Sequence, residues 1–273
     1  MTSHRSMINN TMLQLLQGAA VSMRSTRLGT DWTVNKPTSL LTSPLFHVSG
    51  LSAGVVTALF AGTTTYIYEG RFDPQNILRV IDKYKITSWG GAVPTALKRV
   101  LDEAPNHNLD YESMLVVGGG GAPMPETLIA RTKQIFKNVE HNFGYGYGLT
   151  ESGAITVVNW GDDLNNFPRS PGKPMPTIEV KLIDDDGNEI FDDEMEGEIC
   201  VRSPSVMLGY YKNQIESKKS LNKDRFLSTG DYGYRKDDLY FISSRRTDLI
   251  LRGAENVYPQ EIEILLDQYD GVA

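Results

Sequence analysis

Cysteine is almost missing from this sequence: Cys200 is the only one in 273 residues. That excludes a disulfide framework and fits a reducing compartment. Positive charge is also in deficit, with a net charge of -7. A chain of that balance offers no broad basic field, so no nucleic-acid partner is expected. Long apolar runs are lacking as well. The longest, 51–61, is broken by Ser52, Gly54 and Thr57 and suits a buried helix, so no transmembrane segment is expected. Internal repeats, low-complexity tracts and long linkers do not occur. Acidic residues are absent before Asp31, whereas Arg5, Arg24 and Arg27 are present, a composition shared with organelle transit peptides. Met7, Ile8, Met12, Leu13, Leu15, Leu16, Ala19 and Ala20 recur at helical spacing, however, and predict a helix packed on a core with exposed arginines beyond it. The expected location is cytoplasmic.

The chain is 40% hydrophobic and 22% charged, ordinary for a globular protein of more than one core. Apolar and β-branched runs predict strands at 39–42, 63–68, 86–89, 115–117 and 139–143. Between them lie helices at 51–60, from Pro74, at 94–103 and at 125–136, the second opened by Asp73 as N-cap. Alternating strands and helices indicate an α/β fold, a parallel sheet with flanking helices. Near Asn159 the pattern turns to strands alone, at 177–183, 197–202, 239–242 and 248–251. The turn Asp184-Asp185-Asp186-Gly187-Asn188 makes the first two read as a hairpin. Three parts are expected: an α/β part over 1–160, a β-rich subdomain over 161–246, and a last piece over 247–273. In that last piece a helix from 259 to 269 places Ile262, Leu265, Leu266 and Tyr269 on one face, which must dock on the body or on something outside this sequence.

The residues that could carry chemistry cluster in short stretches. Gly144-Tyr145-Gly146-Tyr147-Gly148-Leu149-Thr150-Glu151 follows an apolar run and is expected to be a turn at a strand end, where open α/β sheets bind ligands. Its glycines allow close backbone approach, Tyr147 can lie against a base, Thr150 can meet a phosphate, and Glu151 offers Mg²⁺ a hard carboxylate. A glycine-rich turn starting the next segment is the plain alternative. Gly120-Gly121-Ala122-Pro123 would give a planar ring side-chain-free backbone, or be a simple connector. His47 lies in a strand-end loop and could face a ligand or pack structurally. Ser228-Thr229-Gly230-Asp231 is expected to be a turn whose carboxylate suits two ribose hydroxyls. Arg245 and Asp248 read as a basic-acidic pair just before a strand.

In order, PLFHVSG (44–50), GGGGAP (118–123), YGYGLTE (145–151), STGD (228–231) and RGAENVYPQEIE (252–263), joined by GEICVRSPSVMLGYY (197–211), resemble the adenylate-forming, AMP-binding superfamily. Acyl-CoA synthetases are the most similar members, and the resemblance covers essentially the whole chain. It implies a two-step ligase using ATP and Mg²⁺: a carboxylic acid becomes an acyl-adenylate, and a thiol, CoA, then takes the acyl group. By resemblance, Gly120, Gly121, Ala122, Pro123 and Tyr147 would enclose adenine, with Ile242 also at the nucleotide. Asp231 and Arg245 would hold the ribose. Thr150 would contact the α-phosphate, Glu151 the metal, and His47 would border the acyl carboxylate. Trp89, Gly90, Gly91 and Val93 would line the acyl pocket, and the small glycines there suggest a fatty or similarly apolar acid. An amino-acid-activating domain would need an acid in 44–50 to hold an amino group, and there is none. A non-catalytic nucleotide-binding fragment is the other alternative.

Several family features lack a counterpart. The phosphate loop would precede Thr2-Ser3-His4-Arg5, and the catalytic lysine would follow the last residue. Thr247 stands at the hinge where the family usually has Asp or Lys, and Ala254 where Gly is common. The expectation is the middle of a longer enzyme that does not complete the ligation alone.

Overall fold

The computed structural model describes residues 1–31, 36–245, 250–252, 255–257, 259–266 and 269. It opens with α1 (His4–Arg27), whose N-cap Ser3 accepts from the backbone N–H of Ser6. β1 (Thr38–Leu41) leads to a π-helix, Ser49–Val56, and then α2 (Thr57–Ala61) and β2 (Thr64–Ile67). The expected helix at 51–60 thus forms, but its first half has the wider π winding. Gly50 lies in its first turn, where a Cβ would be 2.1 Å from the Pro44 carbonyl oxygen.

The α/β pattern then runs through α3 (Pro74–Tyr84), β3 (Ser88–Ala92), α4 (Pro94–Glu103), β4 (Val116–Gly120), α5 (Glu126–Ile135) and β5 (Phe143–Tyr147). Asp73 caps α3 by accepting from the backbone N–H of Gln75 at 3.0 Å, and Pro74 supplies the preset φ of the first turn. The inner faces of α3 and α4 bury Ile77, Leu78, Ile81, Leu97, Val100 and Leu101 against Trp89, Phe136 and Phe143. Each such side chain contributes about 1.5–3 kcal/mol of transfer free energy. β6 (Val157–Trp160), α6 (Gly161–Asn166) and β7 (Lys173–Pro174) complete a seven-stranded sheet of order β2-β1-β3-β4-β5-β6-β7. It is parallel from β2 to β5 and antiparallel at β6 and β7, so it extends past residue 160, where the sequence pattern changes.

A second, wholly antiparallel sheet has the order β12-β11-β10-β8-β9. Its strands are β8 (Glu179–Ile183), β9 (Glu189–Ile190) and β10 (Gly197–Arg202), then α7 (Gln214–Ser220), β11 (Leu227–Lys236) and β12 (Leu239–Arg245). A separate hairpin, β13 (Ile250–Arg252) with β14 (Glu255–Val257), precedes α8 (Pro259–Leu266). Ile262, Leu265, Leu266 and Tyr269 are all exposed. Asp248, Thr247 and Ala254 lie outside the described residues.

Four sequence expectations need correction. The strand expected at 139–143 starts at Phe143, because Lys137–Val139 is a 3-10 turn in which the Val139 amide donates to the Phe136 carbonyl, and a further turn follows in which the Asn142 amide donates to Val139. Gly144 and Gly146 are therefore inside β5 rather than in a turn after it. The turn at 184–188 joins β8 to the short β9, and β10 pairs with the other edge of β8. Ser228 to Asp231 is not a turn but part of the ten-residue β11. Finally, α1 buries Ser6, Asn10, Thr11, Leu13 and Ser25, while Ile8, Met12, Leu16 and Met23 are exposed. The reason is hydrogen bonding: Asn9 donates to Ser205 Oγ at 2.8 Å and Ser6 to the Val206 carbonyl, so the polar face is the docked one. No helix among the described residues is long and apolar enough to cross a membrane.

Candidate active site

The central floor of the first sheet is built from glycine. Gly120 on β4 lies opposite Gly146 on β5, and a Cβ on Gly120 would sit 2.8 Å from the Gly146 carbonyl oxygen. A Cβ on Gly144 would be 2.4 Å from Trp160 ring carbons, and one on Gly146 would be 3.2 Å from the Val157 carbonyl oxygen, so Trp160 excludes a side chain at Gly144 and neighbouring backbone crowds one at Gly120 and Gly146. Beyond β4, Gly121 takes φ +80, which favours glycine, and Gly121, Ala122 and Pro123 are exposed. The sheet thus presents bare backbone at the carboxyl ends of β4 and β5, where open α/β sheets bind ligands.

Tyr147 closes β5 and crosses to the second sheet. Its hydroxyl donates to Asp231 Oδ2 at 2.5 Å, and Arg245 Nε donates to Asp231 Oδ1 at 3.1 Å. Asp231 is 3% exposed and faces Arg245 directly across the β11–β12 ladder. Gly230, at φ +75, forms a bulge there. Its amide donates to Glu198 Oε1 at 3.0 Å, and Thr229 Oγ1 donates to the Ile199 carbonyl at 2.7 Å. Burial above all, and then the Asp231 charge, raise the Tyr147 phenol well above its ordinary value, so it remains a donor at neutral pH. Ile242 is half-buried in the middle of β12.

The loop after β5 folds tightly back. A Cβ on Gly148 would lie 1.8 Å from the Ala154 carbonyl oxygen, and one on Gly153 would lie 2.7 Å from Ser205 Cβ. Thr150 and Glu151 open a 3-10 turn, Thr150–Ser152. Thr150 is exposed and Glu151 half-buried. Tyr210 Oη donates to Glu151 Oε1 at 3.1 Å, and the Met207 amide donates to the Glu151 carbonyl at 2.8 Å. No sequence motif assigns Tyr210 a role. Its partner is 59 residues away, and no local pattern marks that contact.

A carboxylate at the mouth of such a loop suits Mg²⁺, a hard cation. The described residues contain no group of three or more His, Cys, Asp or Glu that could cage a metal. The donor set fits an ion held by one carboxylate together with phosphate oxygens and water.

The remaining sequence candidates are partly gathered here. Gly91 adopts φ +69 with Ser43 Oγ 3.4 Å from where its Cβ would be, and Val93 Cγ1 lies 3.8 Å from the corresponding point of Gly121. Gly90, Gly91 and Val93 are exposed beside the glycine floor. Trp89 points the other way: it is fully buried in the core, and its indole N–H donates to Thr42 Oγ1 at 3.0 Å. His47 is exposed and turned onto its own loop, with Nδ1 accepting from the Ser49 amide at 3.2 Å. Cys200 is no nucleophile here, since burial pushes its thiol up to about 11.

Residues 1–211 match the AMP-binding enzyme family. The chain is 33% identical over 230 residues to a long-chain-fatty-acid–CoA ligase of Salmonella typhimurium, covering 84% of this chain and 40% of that protein. It is 34% identical over 236 residues to a 2-succinylbenzoate–CoA ligase of Oceanobacillus iheyensis, covering 85% and 46%. Among solved structures, o-succinylbenzoate CoA synthetase from Bacillus subtilis with its acyl-adenylate superposes with a TM-score of 0.81 at 28% identity, covering 100% of this chain and 51% of that one. The same enzyme with ATP and magnesium gives 0.79 at 28%, covering 100% and 52%. The chain spans about half the length of the proteins it matches.

Proposed function

The chain belongs to the AMP-binding enzyme family, and on that premise we propose that it carries the nucleotide and acyl sites of an ATP-dependent acid–thiol ligase. In this reading a carboxylate attacks the α-phosphate of ATP to give an acyl-adenylate and pyrophosphate. The CoA thiol then takes the acyl group and releases AMP. The observation that carries the reading is the buried Asp231 held by Tyr147 and Arg245 next to the Gly120–Gly146 strand pair.

Each group suits its task. Gly120 to Pro123 and Tyr147 enclose adenine, because bare backbone and a phenol ring both accept a flat base. Asp231, satisfied on each oxygen by one donor, retains lone pairs for ribose hydroxyls, with Arg245 and Ile242 bordering the same place. Thr150 offers its hydroxyl to the α-phosphate, where charge builds up in the reaction. Glu151 is the Mg²⁺ ligand, and the ion, when bound, neutralises phosphate charge. His47 borders the acyl carboxylate. Gly90, Gly91 and Val93 line the acyl pocket, with Trp89 as buried backing rather than lining. The favoured acid is fatty or similarly apolar, supported by that open glycine lining and by the Salmonella relative. An aryl acid is the second reading, favoured by the Oceanobacillus relative. A single buried, unreactive cysteine agrees with a cytoplasmic location.

Isothermal titration with AMP, and with acyl-sulfamoyl-adenosines carrying alkyl or aryl groups, tests the site directly. Tyr147→Ala should weaken AMP binding by about 1–2 kcal/mol, the loss of one stacked aromatic face. A folded protein that binds neither ligand overturns the proposal. A pyrophosphate-release assay with ATP, Mg²⁺ and an acid panel separates a ligase from a nucleotide-binding protein without turnover.

A further inference from the structure

The segment between β10 and α7 carries a tyrosine whose contact reaches the catalytic loop. Tyr210 is half-buried and packs against the second core, with Ile199, Met207 and Leu221 among the cluster's members. Its backbone is anchored: the Tyr210 amide donates to Ser217 Oγ at 2.8 Å, and Ser217 Oγ donates to the Asn213 carbonyl at 2.7 Å. Gly209 lets the chain pass, since at φ +144 a Cβ there would be 2.8 Å from Ser217 Oγ. The ring is therefore fixed before it meets Glu151, and a second link, Met207 N–H to the Glu151 carbonyl, ties the same two segments.

We propose that Tyr210 is a positioning residue for Glu151: its hydroxyl holds Oε1 and so sets the rotation of the carboxylate, leaving Oε2 as the metal-facing oxygen. The inference rests on the reading of Glu151 as the Mg²⁺ ligand. The chemistry of the pair suits that task. A lysine or arginine in this place would cancel the charge a hard cation needs, whereas a neutral phenol orients the carboxylate without competing for it. The phenol is kept protonated by burial first, then by the Glu151 charge and the hydrogen bond to it. Ligating carboxylates are commonly held by such outer hydrogen bonds, whose loss weakens metal binding by about 10–100-fold.

The test uses Mn²⁺ as a spin-active substitute for Mg²⁺, titrated into the chain with saturating ATP and no acid, so that nothing turns over. Free Mn²⁺ is read by electron paramagnetic resonance, and metal-free AMP affinity by calorimetry in EDTA. Tyr210→Phe should weaken Mn²⁺ binding about tenfold while changing AMP affinity less than about twofold. Glu151→Gln should weaken Mn²⁺ at least as much, and the double variant no further, because the tyrosine acts only through the glutamate. Wild-type Mn²⁺ affinity in Tyr210→Phe, beside a loss in Glu151→Gln, overturns the inference and leaves the functional reading standing. An equal loss of metal-free AMP affinity in Tyr210→Phe overturns it too, by making the residue a general support of the fold. Glu151→Gln binding Mn²⁺ as wild type does, or no uptake by wild type, removes the metal reading itself and the inference with it.

Discussion

The two sides of the site are made by opposite means. On the first sheet, β4 and β5 shape a surface by leaving side chains out, and Gly120, Gly144, Gly146 and Gly148 stand where a Cβ would meet backbone or the Trp160 ring. On the second sheet, β11 and β12 shape the facing surface by side chains that hold one another, with Asp231 receiving Tyr147 and Arg245. A floor of the first kind tolerates no added atom. A wall of the second kind tolerates added bulk poorly too, but its particular weakness is the removal of a partner. The difference teaches where each should break.

The largest effect is expected at Gly148. A Cβ 1.8 Å from the Ala154 oxygen and 2.9 Å from Ile155 Cα meets backbone that cannot swing aside. Gly148→Ala should therefore lose about 3 kcal/mol or more in urea unfolding, and wild-type stability would show that the loop is not closed as described. Next comes the wall. Asp231→Ala strands the Tyr147 hydroxyl and the Arg245 guanidinium, and should cost about 1.5–3 kcal/mol in AMP binding measured by calorimetry. An affinity within error of wild type would separate Asp231 from the ribose.

A smaller effect is expected from the phenols. Tyr147 titrates well above 10 in the folded state and Tyr145 at about 12, both chiefly because they are buried. Folded pKa values above the unfolded value of about 10 mean stability that is complete below pH 10. It falls as pH rises above 10, where the unfolded chain gives up its protons first, and is lost once the folded phenols ionise, Tyr145 at about 12. Tyr147→Phe should flatten that alkaline limb and cost about 1 kcal/mol at pH 7 through the lost hydrogen bond. An unchanged limb in urea titrations at pH 8 to 11 would show that Tyr147 is not the titrating group. The smallest effect is the control within the glycines. No atom lies within 4 Å of where a Gly90 Cβ would be, so Gly90→Ala should stay within about 0.5 kcal/mol of wild type. A large loss there would mean that crowding does not explain the other glycines.

The floor was legible in the sequence and the wall was not, for a physical reason. Strand and helix alternation is local, so α3, α4 and the strands β1 to β4 follow from apolar spacing and from Asp73-Pro74. Glycine runs also announce themselves as composition, although reading 144–148 as a turn misses that Gly144 and Gly146 lie within a strand, where Trp160 across the ladder excludes a side chain at Gly144. Ser228 to Asp231 looked like a turn because Gly230 does adopt φ +75, but it does so as a bulge inside β11. The Tyr147–Asp231 and Tyr210–Glu151 contacts join residues 84 and 59 positions apart, and no periodicity encodes them. The same limit explains α1. Helical spacing identified the helix, but which face docks was decided by Asn9 and Ser6 finding partners near residue 205.

The bulge in β11 has a consequence for length changes. Cys200 faces Ser228 and Glu198 faces Tyr232, so Ile199 alone stands opposite Thr229, Gly230 and Asp231. Two residues are in excess, an even number, and the alternation of faces continues unbroken: Leu227, Asp231 and Gly233 are all buried on β11. Because sheet faces alternate with period two, removing Thr229 and Gly230 together should straighten the strand and keep every side chain beyond it on its own face. Removing Gly230 alone should turn the strand on one side of the gap inside out, sending Leu227 or Gly233 to the wrong face. The shorter deletion is therefore the more damaging one, and a comparison of the two melting temperatures would show it.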